Sequence, residues 1–233
     1  MENRTKTTTE QTWDTIAESF DTTRKKPWKQ SIDFIGSLPK TSFIADLGCG
    51  NGRHLLVCAE QGHQVVGVDI SRNLLKITQK KINQKGFTHA ICLQGDLVNV
   101  PLKDNVLDAV LYIASLHNIQ GRKNRICSLK EVKRILKPEG KALISVWSRW
   151  QDTYRMRFFK KMFTRRADEE FGDIMIYWRQ HQLNTPRFYH LYGKHEFIQD
   201  VRRSGLRIDQ VQSVKFHSRV SPDNYFIVAT KES

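Results

Sequence analysis

The stretch with the densest chemistry is Asp46-Leu-Gly48-Cys-Gly50-Asn-Gly52, set between an apolar run that reads as a strand and a segment patterned as a helix. Glycines at a strand-to-helix turn permit a tight reversal and let a ligand reach peptide groups that a Cβ would shield. A nicotinamide or flavin fingerprint, G-x-G-x-x-G, needs its third glycine at position 53, which is Arg53; the third glycine here arrives one residue early, at Gly52. Asp69 closes the next apolar run, roughly twenty residues on, where a carboxylate accepts hydrogen bonds from ribose hydroxyls. Asp96 follows the third apolar run, placed either to meet an adenine edge or to act as an ordinary turn acid after Gly95. In register, Gly48, Gly50, Gly52, Asp69 and Asp96 predict a bound adenosine with a free ribose diol. Asp46 has two readings, a strand-end acid bonding loop amides or a neighbour of the rest of that cofactor.

The elements that must hold these residues follow from periodicity. Trp13, Ile16, Ala17 and Phe20 fall at i, i+3, i+4, i+7 and predict a short helix at about 9–22. TSFIADL, QVVGVD, HAICLQGD, LDAVLYIAS and KALISVW read as five strands apolar on both faces, alternating with helices, which demands a parallel sheet covered on both sides. Ser71 is poised to cap the helix carrying Leu74, Leu75, Thr78 and Ile82. Another helix spans 123–137, with Ile126, Leu129, Val132, Ile135 and Leu136 as its stripe. After Trp147 about forty residues carry no clear strand; then come a helix near Lys194 to Ser204 and an antiparallel pair, LRIDQVQSVKF and NYFIVAT. The expected fold is α/β and doubly wound: a mostly parallel seven-stranded sheet, Rossmann-like, in the order of class I methyltransferases, with an inserted helical cap. It is read as one domain over 1–233 with a basic insert at about 148–186. The implied cofactor is S-adenosyl-L-methionine, with its methionine portion near Asp46.

The formal net charge is +14 over 233 residues, an attractive field for polyanions, nucleic acid first among them, unless it serves only solubility. Cys49, Cys58, Cys92 and Cys127 have no C-x-x-C spacing and read as small hydrophobes in a reducing compartment, so no metal site is expected. No apolar segment is long enough to span a bilayer, and the expected location is cytoplasmic.

The segments WDTIAESFDTTRKKPW, ADLGCGNGRH, SLHNIQGRKNRICSLKEVKRILKPEGKALISVW, RFYHLY and DNYFIVATK resemble the tRNA wobble-uridine carboxymethyl methyltransferases. That family includes the domain that larger eukaryotic proteins fuse to an AlkB-like oxygenase. The resemblance covers most of the chain outside about 148–186. It implies methylation of the carboxylate of 5-carboxymethyluridine in tRNA to the methyl ester. A carboxylate is already a nucleophile, so the task is orientation and removal of water. Arg24 and Arg187 are the expected clamp on that carboxylate. Tyr189 and His190 are placed to stack on or bond an extruded base, or else to pack in the core with both arginines at the surface. Where the family carries two adjacent histidines, this chain has His117-Asn118. His117 inherits the active-site role, and Asn118 keeps hydrogen-bonding capacity without charge.

The insert is predicted to form an amphipathic helix with Tyr154, Phe158, Phe159, Met162 and Phe163 packed on the domain. Its cations, including Arg149, Arg155, Arg157, Lys160, Lys161, Arg165 and Arg166, would face tRNA phosphates. The resemblance also implies a small zinc-ribbon activator pairing along the third strand as a heterodimer. Two other functions use the same fold: a quinone- or sterol-type small-molecule methyltransferase with an apolar cap, and a nucleic-acid-binding or scaffolding protein without catalysis.

Overall fold

The computed structural model describes residues 2–164 and 169–233. In chain order the first half is α1 (Glu2–Thr23), α2 (Lys29–Gly36), β1 (Phe43–Leu47), α3 (Leu55–Glu60), β2 (Gln64–Asp69), α4 (Arg72–Gln84), β3 (Ala90–Gln94) and β4 (Leu107–Ile113). The second half is α5 (Arg122–Ile135), β5 (Leu136–Trp147), α6 (Arg155–Thr164), β6 (Asp173–Trp178), β7 (Thr185–His190), α7 (Lys194–Arg203), β8 (Arg207–Val214) and β9 (Asn224–Thr230). The main sheet is seven-stranded in the order β3-β2-β1-β4-β5-β9-β8. Strands β1 to β5 are parallel, and β9 runs antiparallel to both β5 and β8. Central strands carry apolar residues on both faces because helices cover both: Ala45, Leu47, Val66, Val110 and Tyr112 pack under α5 and α7, and Ile44, Val65, Ala109 and Leu111 under α2 and α3. Ser71 caps α4 as expected, its Oγ accepting the Leu74 amide at 3.1 Å.

Two expectations for the region after Trp147 are corrected. The insert is a helix and a hairpin: β6 and β7 pair antiparallel in a second, two-stranded sheet. The aromatic stripe of α6 is not packed away, since Phe158 alone is buried while Phe159, Met162 and Phe163 are exposed. The small cluster around Phe158, Tyr189 and Leu191 takes in Phe158 and part of Tyr154 from the stripe and leaves the rest outside.

α1 joins the two parts. Asp14 on α1 accepts from Ser71 Oγ at 2.5 Å and from the Asn73 amide at 3.0 Å, docking the helix on the start of α4. One turn on, Ser19 accepts from Trp178 Nε1 of the hairpin at 2.8 Å. The helix thus lies over the carboxyl ends of β1 and β2, where open α/β sheets bind ligands.

Candidate active site

One cavity of about 550 Å³ opens there, within the size range of small-molecule sites. Its cofactor half is built by the turn after β1. Gly48 sits at φ +70° with a hypothetical Cβ 2.2 Å from Ser115 Oγ, so only glycine lets the loop after β4 close against the turn. Gly52, at φ +79°, would put a Cβ 2.6 Å from Thr78 Cγ2, and it therefore seats α4 and does not line the cavity. Gly50 does line it, and its amide donates to Asp69 Oδ2 at 2.8 Å while the Ser71 amide donates to Oδ1 at 2.9 Å. Asp69 is buried, and burial pushes its carboxyl up to about 6 against the pull of those amides. A group that donates hydrogen bonds to it, such as a ribose diol, favours the ionised form. Asp96 lines the same half beside Ile70, Leu74 and Leu97, and its Oδ1 accepts the Val98 amide at 3.0 Å.

Asp46 is a correction to the expected lining. It lies behind the turn, outside the cavity wall, its carboxyl pushed up to about 7 by burial and held back by Arg53 and the Leu55 amide. Of its two readings the structure supports the strand-end acid.

The other half gathers Arg24, His117, Asn118, Trp147, Arg187 and Tyr189. Arg24 follows the last turn of α1, His117 and Asn118 form a short 3-10 turn after β4, and Arg187 and Tyr189 come from β7. Residues two apart on a strand share a face and neighbours do not. Arg187 and Tyr189 therefore both point inward, and His190 cannot. His190 is a second correction: it bridges Asp173 (Nδ1, 2.7 Å) and Glu196 (Nε2, 2.9 Å) and packs edge-on to Tyr192, away from the cavity.

The Arg187 guanidinium stands over Trp178 at 4.8 Å, Tyr189 at 5.1 Å and Trp13 at 5.6 Å, and donates to Tyr189 Oη at 2.6 Å. Arg24 stands over the same Trp178 ring at 5.5 Å, and burial with the neighbouring Arg187 lowers its pKa. Neither forms an ion pair among the described residues. Arg187 is only 6% exposed. Aromatic faces return about 0.5–2 kcal/mol to a cation, less than its lost hydration. Two such cations on one wall make a site for an anion.

Beside them His117 is fully buried and stacks on Tyr189 at 5.2 Å. Its Nδ1 accepts the Trp147 amide at 3.1 Å, which leaves the proton on Nε2, where no partner occurs among the described residues. Burial, with His190 and Arg187 nearby, drops its pKa to about 3, so it is a neutral donor at physiological pH. Asn118 donates to the Ala114 carbonyl at 3.4 Å, and its buried Oδ1 has no partner among the described residues.

Arg53 also lines the cavity, 5.0 Å over the Trp28 ring and without an acid partner at ion-pair distance among the described residues. Burial, followed by repulsion from Arg24, lowers it to about 10. Its sequence signal was the very position that excluded a third glycine. Arg149, counted among the outward cations, is instead buried and paired with Glu196. Lys161 is half-buried, donating to the Asp173 carbonyl at 2.8 Å, and Arg165 and Arg166 lie outside the described residues.

The sheet order, the glycine turn and the Asp69 cavity together define a class I S-adenosylmethionine-dependent methyltransferase. Residues 45–144 match the methyltransferase domain family. A solved methyltransferase from Methanosarcina mazei superposes with a TM-score of 0.74 at 21% identity, covering 89% of this chain and 99% of that one. The Haloferax volcanii methyltransferase solved in complex with the Trm112 methyltransferase activator superposes at 0.70 with 14% identity, over 97% and 98% of the two chains. Among curated sequences, tRNA (carboxymethyluridine(34)-5-O)-methyltransferase ALKBH8 of Macaca fascicularis is 37% identical over 142 residues, 61% of this chain. The chain spans about a fifth of that relative, 20% of its length. The tRNA (carboxymethyluridine(34)-5-O)-methyltransferase of Schizosaccharomyces pombe is 28% identical and matches 95% of both chains. Within the class, these likenesses are to tRNA carboxymethyluridine methyltransferases.

Proposed function

We propose that the chain methylates the carboxylate of 5-carboxymethyluridine at the wobble position of tRNA, giving the methyl ester. The observation that carries this reading is the pair of unpaired guanidiniums, Arg24 and Arg187, on one aromatic wall. Bound S-adenosylmethionine supplies an electrophilic methyl group. The chain's residues then have positioning to do: Arg24 and Arg187 hold the acceptor carboxylate, and His117 Nε2–H donates to it or to the uracil edge. Tyr189, its ring packed against His117 and Trp147, steadies Arg187 by accepting from it at the hydroxyl. The attacking oxygen is already anionic, so no general base is needed, and a histidine titrating near 3 suits that. A quinone- or sterol-type acceptor would leave the same guanidiniums buried without a counter-charge, and a scaffold without catalysis has no use for the intact turn.

The deciding experiment incubates the protein, labelled methyl donor and tRNA bearing 5-carboxymethyluridine, then treats the product with mild alkali. Label released by alkali is the ester; label that survives is a base or ribose methyl group and refutes the reading.

The partner reading rests on β3. Its outer edge pairs with no other strand among the described residues, and Ile91 on it is 52% exposed. A zinc-ribbon activator adding a strand there would cover that edge, as edge strands require. Monodisperse, fully active protein expressed alone would refute it. Residues 1–233 are read as one domain in which α1 and the insert at 148–186 roof the cavity. A cytoplasmic location belongs to the same proposal; no helix among the described residues is long and apolar enough to cross a membrane, and the cysteines are free.

A further inference from the structure

A second, smaller concavity lies along β6 beside α6. It measures about 250 Å³ and is lined by Tyr154, Arg157, Met175, Ile176, Tyr177 and Arg179. No acid lines it, and neither Arg157 nor Arg179 forms an ion pair among the described residues. Arg179 stands 5.6 Å over the Tyr177 ring, and Tyr177 is 47% exposed. A large ring left open to solvent, with a guanidinium on it and another across the groove, has the composition of a single-strand nucleotide platform: a face for the base and cations for the phosphate.

Its place in the fold ties it to the cavity. Ile176, in the groove, is the cross-strand partner of Arg187 and shares its face, while Tyr177 and Met175 turn to the outer face of the hairpin, so the groove meets the anion wall along the β6 edge. Tyr154 packs on the cluster containing Tyr189 and feels the charge of both Arg187 and Arg157, which places it between the two sites. A strand delivering one base into the cavity has its neighbouring nucleotide at this groove.

We propose that the groove between α6 and β6 holds the nucleotide adjoining the target in the same RNA strand, its base on Tyr177 and its phosphate between Arg157 and Arg179. The inference rests on the tRNA reading above.

The test uses the full chain and an anticodon stem-loop RNA, with binding read by fluorescence anisotropy and methyl-ester formation on whole tRNA read separately. Tyr177→Ala is expected to weaken stem-loop binding about tenfold (about 1.4 kcal/mol) and to raise KM for tRNA by a similar factor. Its kcat should stay within about twofold and its affinity for the methyl donor unchanged. Tyr177→Phe should bind as the parent does, since the ring and not the hydroxyl stacks. The double variant Arg157→Glu, Arg179→Glu should lose more and show a shallower salt dependence. Stem-loop affinity equal in parent and Tyr177→Ala overturns the proposal, as does a parent that binds no stem-loop. So does a groove whose variants alter binding to anionic phospholipid vesicles and leave RNA untouched. Failure of the underlying reading looks different: the parent binds the stem-loop through Tyr177 yet forms no alkali-labile ester on tRNA.

Discussion

Asp69 carries the clearest pH signature of the site. Its folded carboxyl titrates near 6 against an ordinary 3.8, raised by burial. A raised carboxyl stabilises the free fold below about 4, and that contribution is lost as pH rises through about 6. Hydroxyls donating to the carboxylate need the ionised form, so the sign reverses for the ligand. Affinity for S-adenosylmethionine should sit on a plateau above pH 6 and fall as pH drops through it, with a proton released on binding below 6. Isothermal titration in two buffers of different ionisation enthalpy checks this. Asp69→Asn should bind more weakly and lose the pH step. His117 predicts the opposite shape for the chemical step. Titrating near 3, it should leave kcat flat between pH 6.5 and 9, and a bell with a limb near 6.5 would show that it acts as a base. Arg187→Lys keeps the charge and loses the fork, and is expected to cost ten- to a hundredfold in kcat/KM while cofactor affinity holds.

At the scale of elements, the glycine turn is clamped from both sides by the chain's own side chains. Gly52→Ala should cost about 1–3 kcal/mol, from positive φ and from contact with Thr78, read as a lowered denaturation midpoint. The five parallel strands were legible because each is an apolar run bounded by a turn, and the sheet order follows from that alternation. The hairpin was not. DIMIYW turns Ile174, Ile176 and Trp178 inward and leaves Met175 and Tyr177 exposed, but all five are apolar or aromatic, so the sequence shows no alternation to mark the strand. Missing it hid the register, and the register separates Arg187 and Tyr189, which share the cavity face, from His190, which does not. The aromatic residues of α6 were misread for a related reason: periodicity names a face but cannot say whether anything lies beneath it. Arg53 escaped because an arginine in a glycine-rich turn is informative only once burial and the lack of an acid partner are known.

For the whole molecule, a net charge of +14 predicts steep salt dependence of tRNA binding. Affinity should fall linearly in log–log form with added salt, and Lys160→Glu on the exposed side of α6 should flatten the slope by about one contact. No change in slope would remove α6 from the RNA interface.

α1 touches the cofactor side through Asp14 and the acceptor side through Ser19, five residues further along one rigid rod. A rod fixed at both ends transmits any tightening at one end to the other. Occupancy of the two halves should then be thermodynamically linked, and the linkage must be reciprocal: the factor by which methyl donor strengthens tRNA binding equals the factor by which tRNA strengthens binding of the donor. Cutting one anchor with Asp14→Ala should bring both factors toward unity together.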